Sequence, residues 1–320
     1  MRTLIIGSRA SELALMQSNL IRSEILSRHP GVKVEIKEIK TTGDKILDAP
    51  LSKIGDKGLF IKELDSALQD GSIDLAVHSL KDVPTAIASG TVIAIVTKRA
   101  DVRDAFVSHP AKSYKSLSDV PVGGTIATGS LRRRCQLLSW RSDLNIAELR
   151  GNVGTRLSKL DASTWDGILL AGAGLTRLGL EKRIAERIDC EQILPAVGQG
   201  ALAVTTRDQD VETRKLLSHI HSEATFACTS AERALLRTLE GGCQIPIGAY
   251  GRIEENVLYL DAMVGSLDGK SVVRGSIHGT IESAERLGVD LANILVESGA
   301  KKILDAVRSA TTSVQVPAHS

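Results

Sequence analysis

Three times along the chain an apolar run ends in a short turn of small polar residues that carries an arginine, and a helical pattern follows at once. The turns are Gly7-Ser8-Arg9-Ala10-Ser11, Thr128-Gly129-Ser130-Leu131-Arg132-Arg133 and Arg150-Gly151-Asn152. A strand that feeds directly into a helix must bury one face of each against the other, so the repeated unit points to an α/β layer architecture. Around the first turn, Thr3 to Ile6 reads as a buried strand, and Leu13, Met16, Leu20 and Ile21 recur at helical spacing until His29-Pro30-Gly31. Val32, Val34 and Ile36 then alternate with Lys33, Glu35 and Lys37, as in a half-buried strand. Leu59 to Leu68 returns to the helical period, and Ile73 to Val77 forms a third strand. This order predicts parallel strands.

The pattern restarts in mid-chain. A strand near Thr125 to Thr128, a helix from Leu131, a strand at Leu144 to Leu149, a helix near Val153 to Leu160 and a strand at Gly167 to Leu170 predict a second α/β lobe. Thr97 to Arg103 is a candidate hinge between the lobes, with a second crossing near Pro195 to Gly200. From Ser222 a long helical run reaches Leu239, followed by strand-like Leu258, Leu260, Ala262 and Val264, then Val272 and Val273, and a helix from Glu282. Successive strands between helices predict a small α+β domain. Ser309 to Ser320 reads as a frayed tail.

At 320 residues the chain has room for two or three domains. Its 40 Lys+Arg nearly cancel its 38 Asp+Glu, which argues against binding nucleic acid or anionic membrane through bulk charge. The N-terminal apolar stretch is too short for a secretory signal, and no stretch approaches the ~18 apolar residues of a membrane span. The expected compartment is the cytoplasm. There Cys135, Cys190, Cys228 and Cys243 would be reduced, and no C-x-x-C spacing suggests a metal site.

The arginine turns carry the first chemical signal. Free N–H groups and the dipole at a helix N-terminus favour an anion, and a guanidinium fork can hold a carboxylate through two hydrogen bonds. Strand C-terminal ends are also where open α/β sheets bind ligands. Any one such arginine is equally well read as a surface charge paired with Asp or Glu. Three together suggest a ligand with several carboxylates or phosphates. Arg132-Arg133-Arg134 as a nucleic-acid patch is disfavoured, because no stacking aromatics interleave with it. No phosphate loop is present, and Gly172-Ala173-Gly174 lacks the third glycine of a dinucleotide site. His78 at a strand end is, alone, more often structural than catalytic. Lys81-Asp82 places a base and an acid at the ligand edge, which as a dipeptide is weak. Cys243 lies in Gly241-Gly242-Cys243-Gln244, where two glycines leave room around the sulfur; from that stretch alone an inert thiol in a tight turn is the commoner reading.

Taken together, these segments resemble the porphobilinogen deaminase family. The resemblance rests on Arg9-Ala10-Ser11 with Leu13-Ala14, Gly58-Leu59-Phe60-Ile61-Lys62-Glu63-Leu64 and His78-Ser79-Leu80-Lys81-Asp82-Val83-Pro84. It continues in order through Ser130-Leu131-Arg132-Arg133, Arg150-Gly151-Asn152-Val153, Pro195-Ala196-Val197-Gly198-Gln199-Gly200-Ala201, and Ala231-Glu232-Arg233 with Gly241-Gly242-Cys243-Gln244.

The resemblance implies two periplasmic-binding-protein-like α/β lobes flanking an active cleft, plus a small C-terminal α+β domain. The domains would be 1–97 with 199–219, 98–198, and 220–320. It implies a transferase, a monomer, that polymerises four porphobilinogen molecules into hydroxymethylbilane with loss of ammonia. The primer would be a dipyrromethane bound by thioether to Cys243. Carboxylate-binding positions fall on Arg9, Ser11, Lys81, Ser130, Arg132, Arg133, Arg150, Arg156 and Arg177, and the catalytic aspartate on Asp82. A buried carboxylate at Asp82 would stabilise the cation left when ammonia departs and assist proton transfer. Two departures stand out: Gly129 where many members have serine, and Ala127 where glycine is usual.

Overall fold

The computed structural model describes residues 3–45, 61–239 and 245–313. The loop from Leu47 to Lys57, the Gly58-Leu59-Phe60 start of one motif, and Cys243 with its flanking Gly241, Gly242 and Gln244 lie outside the described residues. In chain order the elements are β1 (Thr3–Ser8), α1 (Glu12–Arg28), β2 (Lys33–Glu38), α2 (Thr42–Lys45), α3 (Lys62–Gln69), β3 (Leu75–Ser79) and β4 (Thr91–Val96). Then follow β5 (Asp104–Ser108), β6 (Thr125–Ala127), α4 (Leu131–Trp140), β7 (Asn145–Ala147), α5 (Val153–Asp161), β8 (Gly167–Ala171), α6 (Gly172–Arg177) and β9 (Glu186–Arg187). The last are β10 (Leu202–Arg207), α7 (Val211–Leu217), α8 (Glu223–Thr238), β11 (Ile247–Glu254), β12 (Val257–Gly265), β13 (Val272–Thr280), α9 (Ala284–Leu295) and α10 (Lys301–Ser313).

The described residues divide into two compact units, one from the chain up to Asp101 with Gly198–Ala227, the other from Val102–Val197 with Cys228 onward. The first unit holds a five-stranded sheet in the order β2-β1-β3-β10-β4. Both faces are covered, which is why its central strands are apolar throughout. Ile6, Leu75, Val77 and Val204 pack with Ile21 and Ile25 of α1 on one face. Ala76 turns the other way, toward Leu64 and Leu68 of α3.

The second unit holds a five-stranded sheet in the order β7-β6-β8-β5-β9 and a three-stranded antiparallel sheet, β11-β12-β13. Leu149, Leu157, Leu160 and Leu170 cover one face of the larger sheet. Phe106, Leu137 and Leu169 fill the other. Around the small sheet, α9 buries Leu287, Leu291 and Leu295.

Both lobes are α/β as expected, but neither is all-parallel, and this corrects the sequence reading. β1 pairs in parallel with β2 and β3, whereas β10 runs antiparallel to β3 and β4. In the larger sheet of the second unit, β6 is parallel to β7 and β8 while β5 is antiparallel to β8. The register gives the reason. Leu202, the first residue of β10, pairs with Ser79, the last of β3; Asp104, the first of β5, pairs with Ala171, the last of β8. A strand that enters at the C-terminal edge of its neighbour can only run back along it. The expected tail is corrected in part: α10 continues to Ser313, with Leu304 and Val307 buried and the helix packed on β12, while residues 314–320 lie outside the described residues.

One device recurs in each lobe. Asp74, just before β3, accepts from Ile5 N at 2.9 Å and from Arg207 Nη2 at 3.1 Å. Asp166, just before β8, accepts from Thr125 N and Lys112 Nζ, both at 2.7 Å. Each carboxylate thus ties the start of one parallel strand to its neighbour.

Pro195 to Gly200 needs glycine at its end. Gly200 has φ +93, and a Cβ there would sit 2.7 Å from Ala100 O; Gly90 has φ +77 with open space around it. Both alanine substitutions force a left-handed backbone, but only Gly200→Ala adds a backbone collision. Gly200→Ala is therefore expected to lose about 1–3 kcal/mol more than Gly90→Ala in urea unfolding. Equal losses for the two would show that the collision relaxes freely.

Candidate functional site

In the first unit, β1 and β3 are parallel neighbours, so the segments after their C-terminal ends lie side by side. β1 delivers Arg9 and Ser11; Ser11 caps α1, its hydroxyl accepting from Ala14 N at 3.4 Å. β3 delivers His78, Lys81 and Asp82. A hydrogen bond of 2.9 Å from Gln17 Nε2 to Ser79 Oγ ties α1 to the end of β3. Leu80 is buried and its N–H donates to Ala201 O at 3.0 Å, which fixes the short 3-10 turn Leu80–Asp82. Lys81 Nζ reaches Gln199 Oε1 at 3.5 Å.

Asp82 itself is exposed. The expected buried carboxylate is therefore not what the fold provides: the turn spends its inward position on Leu80 and leaves Asp82 facing outward. His78 is buried beside Arg9, and its Nε2 lies 3.0 Å from Thr205 Oγ1. Burial first, and then the Arg9 charge, pull its pKa down from 6.5 to about 4, so the imidazole is neutral at pH 7.

In the second unit, β6, β7 and β8 end along one edge. Their turns lead to Ser130, Arg132 and Arg133, to Arg150 and Arg156, and to Arg177. Ser130 caps α4. The centre of this edge is an interaction that sequence reasoning missed. Asp104, fully buried at the start of β5, accepts from Arg132 Nη1 at 2.7 Å and from Arg133 Nη2 at 2.8 Å. Arg132 Nη1 also donates to Leu194 O at 2.6 Å, and Arg133 Nη1 to Leu169 O at 3.1 Å. Gln136 completes the clamp on Leu194, donating to its carbonyl at 3.0 Å and accepting from its N–H at 2.8 Å. Burial alone would raise the pKa of Asp104, but the two guanidiniums hold it well below the carboxylate range. Burial in turn pulls Arg132 below its usual value, partly offset by Asp104. The triad carries two positive charges and one negative. Among the described residues, the Nε atoms of Arg132 and Arg133 are buried without a hydrogen-bond partner. The only sequence signal was an acidic residue heading the apolar run Ala105-Phe106-Val107.

The remaining cations are more accessible. Arg150 Nε lies 2.8 Å from Glu148 Oε1, close enough to offset charge but not aligned for a hydrogen bond. Arg156 Nε donates to Gly151 O at 2.7 Å. Arg177 ends α6, where burial lowers its pKa. Gly129 has a local reason in this chain: a Cβ there would collide with the carbonyl oxygen of Leu149. The site residues thus gather on two sheet edges, one in each unit. Near Cys243 only the flanks are described. Leu239 is buried, and its carbonyl accepts from Arg308 Nη2 at 3.1 Å.

Residues 4–215 match the family description "Porphobilinogen deaminase, dipyromethane cofactor binding domain", and residues 226–297 match "Porphobilinogen deaminase, C-terminal domain". A porphobilinogen deaminase from Chloroherpeton thalassium is 47% identical over 312 residues, covering 96% of this chain and 98% of that protein. Another, from Chlorobaculum parvum, is 49% identical over 310 residues with the same coverage. Among solved structures, the substrate binding domain of a putative molybdenum ABC transporter from Clostridium difficile has a TM-score of 0.42 at 13% identity, covering 70% of this chain and 93% of that one.

The neutral His78 gives a pH signature. Its folded-state pKa of about 4 lies below the ordinary 6.5, so between those values the unfolded chain binds the extra proton and stability falls as pH falls. The expected slope from this group approaches about 1.4 kcal/mol per pH unit below 6.5. Comparing the parent with His78→Gln in urea melts from pH 7 to 4.5 measures it; parallel curves for the two would remove His78 as the cause.

Proposed function

The chain belongs to the porphobilinogen deaminase family, and on that premise we propose how its own residues divide the work. The enzyme is a transferase that joins four porphobilinogen molecules into hydroxymethylbilane with loss of ammonia, using a dipyrromethane cofactor. When bound, that cofactor supplies the pyrrole to which each new unit is joined.

Every pyrrole ring here carries an acetate and a propionate, and the observation that carries the reading is the surplus positive charge of the Arg132–Asp104–Arg133 triad. That donor set fits a carboxylate-rich group, because the acceptor lacking at two buried Nε atoms is what a carboxylate brings. We assign carboxylate binding to Ser130, Arg132, Arg133, Arg150, Arg156 and Arg177 in the second unit, and to Arg9, Ser11 and Lys81 in the first. Ser11 and Ser130 bring helix N-termini whose N–H groups and dipoles favour the same charge.

Asp82 is assigned to the reacting ring. Its exposed carboxylate is screened by water, so its hold on the cation that develops as ammonia leaves grows when a bound ring displaces that water. The same oxygen can accept the pyrrole N–H and move a proton to and from the ring. Cys243 is the proposed thioether anchor. Cys135 is unsuited, since burial pushes its thiol up to about 12 and keeps it protonated.

The functional division we propose is 1–97 with 199–219 carrying Asp82, 98–198 carrying the arginine-rich edge, and 220–320 carrying Cys243. We place the enzyme in the cytoplasm, as a monomer.

Intact mass tests the anchor: Cys243→Ala should carry no covalent pyrrole, while Cys135→Ala, Cys190→Ala and Cys228→Ala should keep it. A pyrrole mass retained on Cys243→Ala would move the anchor elsewhere. For Asp82, Asp82→Asn keeps shape and removes charge. The variant is first loaded with hydroxymethylbilane made by the parent and checked by mass, so that an empty anchor cannot mimic a catalytic defect. Single-turnover addition of porphobilinogen is then expected to be about 10²- to 10³-fold slower. Addition within about threefold of the parent would remove Asp82 from the chemistry.

A further inference from the structure

Asp104 stands outside the residues that the reading above assigns to ligand, yet both Arg132 and Arg133 are organised by it. Its carboxylate is fully buried and divided, one oxygen to each guanidinium, at 2.7 and 2.8 Å. The same arginines use their Nη1 atoms on Leu194 O and Leu169 O, so four of their side-chain donor contacts, two to Asp104 and two to backbone carbonyls, are to fixed scaffold. A guanidinium pinned at its Nη end has lost its rotamer freedom before any ligand arrives, and that lowers the cost of binding. We infer that Asp104 is the positioning residue of the arginine edge: it fixes Arg132 and Arg133 in place and cancels only one of their two charges, leaving one for a pyrrole carboxylate. This rests on the assignment of those arginines to carboxylate binding.

The arrangement is selective by sign and by number. Without Asp104, two guanidiniums held beside one another would repel and separate. With a second buried carboxylate, the triad would be neutral and an incoming acid group would find no unmatched charge. The antiparallel course of β5 is what brings this residue to the edge, since Asp104 pairs with Ala171 at the C-terminal end of β8.

The test uses the full chain, Asp104→Asn, beside Arg132→Lys and Arg133→Lys, with circular dichroism and urea melts to establish folding. The readouts are the rate at which the purified apo chain takes up dipyrromethane from hydroxymethylbilane, followed by intact mass, and the split between KM and kcat once loaded. Folded Asp104→Asn is expected to load about 10²-fold more slowly than the parent and, once loaded, to show a raised KM, by the usual cost of misplacing a positioned group. A merely structural role would lower the urea midpoint and leave the loading rate of the folded fraction unchanged. Slow loading by both lysine variants with normal loading by Asp104→Asn overturns the Asp104 inference alone; normal loading by all three overturns the carboxylate assignment as well. Should Asp104→Asn not fold, the parent decides. The arginine Nε–H resonances of Arg132 and Arg133, assigned with the lysine variants, must be sharp in the apo chain and shift on loading. Broad, freely averaging signals, or signals unmoved by loading, overturn the proposal.

Discussion

The Arg132–Asp104–Arg133 triad is the constraint on which the second lobe depends. Bringing three ionised groups out of water is costly, and the contacts at 2.7 and 2.8 Å, with the Nη bonds to Leu194 O and Leu169 O, offset that cost while two Nε atoms stay unsatisfied. Removing one partner of such a cluster costs about 3–5 kcal/mol, largely as uncompensated buried charge. The triad also joins elements distant in sequence: β5 through Asp104, the middle of β8 through Leu169, α4 through the arginines, and the stretch before Pro195 through Leu194. A hydrophobic replacement could fill the same volume. It could not leave a net positive charge at the edge where the arginine-bearing turns after β6, β7 and β8 lie.

The same economy governs the strand order. Each lobe takes its fourth strand from chain that arrives at the C-terminal edge of the third, β10 beside β3 and β5 beside β8. That edge therefore receives residues from strands ending there and from a strand beginning there. In the first unit the arriving segment supplies Gln199 near Lys81 and Ala201 as acceptor for Leu80. In the second it supplies Asp104. Asp74 and Asp166 do complementary work at the start of each third strand, where a buried carboxylate satisfies a backbone N–H and a cation.

Much of this was legible in the sequence because it is periodic or local. The helical repeat of Leu13 to Ile21 gave α1, the alternation of Val32, Val34 and Ile36 gave β2, and Ser11, Ser130 and Asn152 cap the helices that follow their turns. What escaped was non-local. β4 and β5 are short apolar runs with no helix directly attached, and the pairing of β4, β5 and β10 is decided by strands far away in the chain. The arginines were visible as cations, but the carboxylate that holds Arg132 lies 28 residues upstream. Asp82 could be placed at a strand end from its neighbours. Its exposure could not, since that follows from Leu80 taking the inward position of the turn.

That exposure bears on how the chemistry can be run. A permanently buried anion at Asp82 would require either a raised pKa or a fixed cation beside it, and either would weaken its response to charge developing on a substrate. An exposed carboxylate in one unit and buried, preset cations in the other divide the electrostatics differently. The cations are dry and fixed before binding, which on the proposed assignment suits them to carboxylates that keep their charge throughout the reaction. On the same proposal the anion, wet at rest, becomes strong only when a bound ring excludes the water around it, which ties its effect to the occupied state. Charge that is constant is met by a constant site, and charge that appears transiently is met by a group whose field strengthens with occupancy.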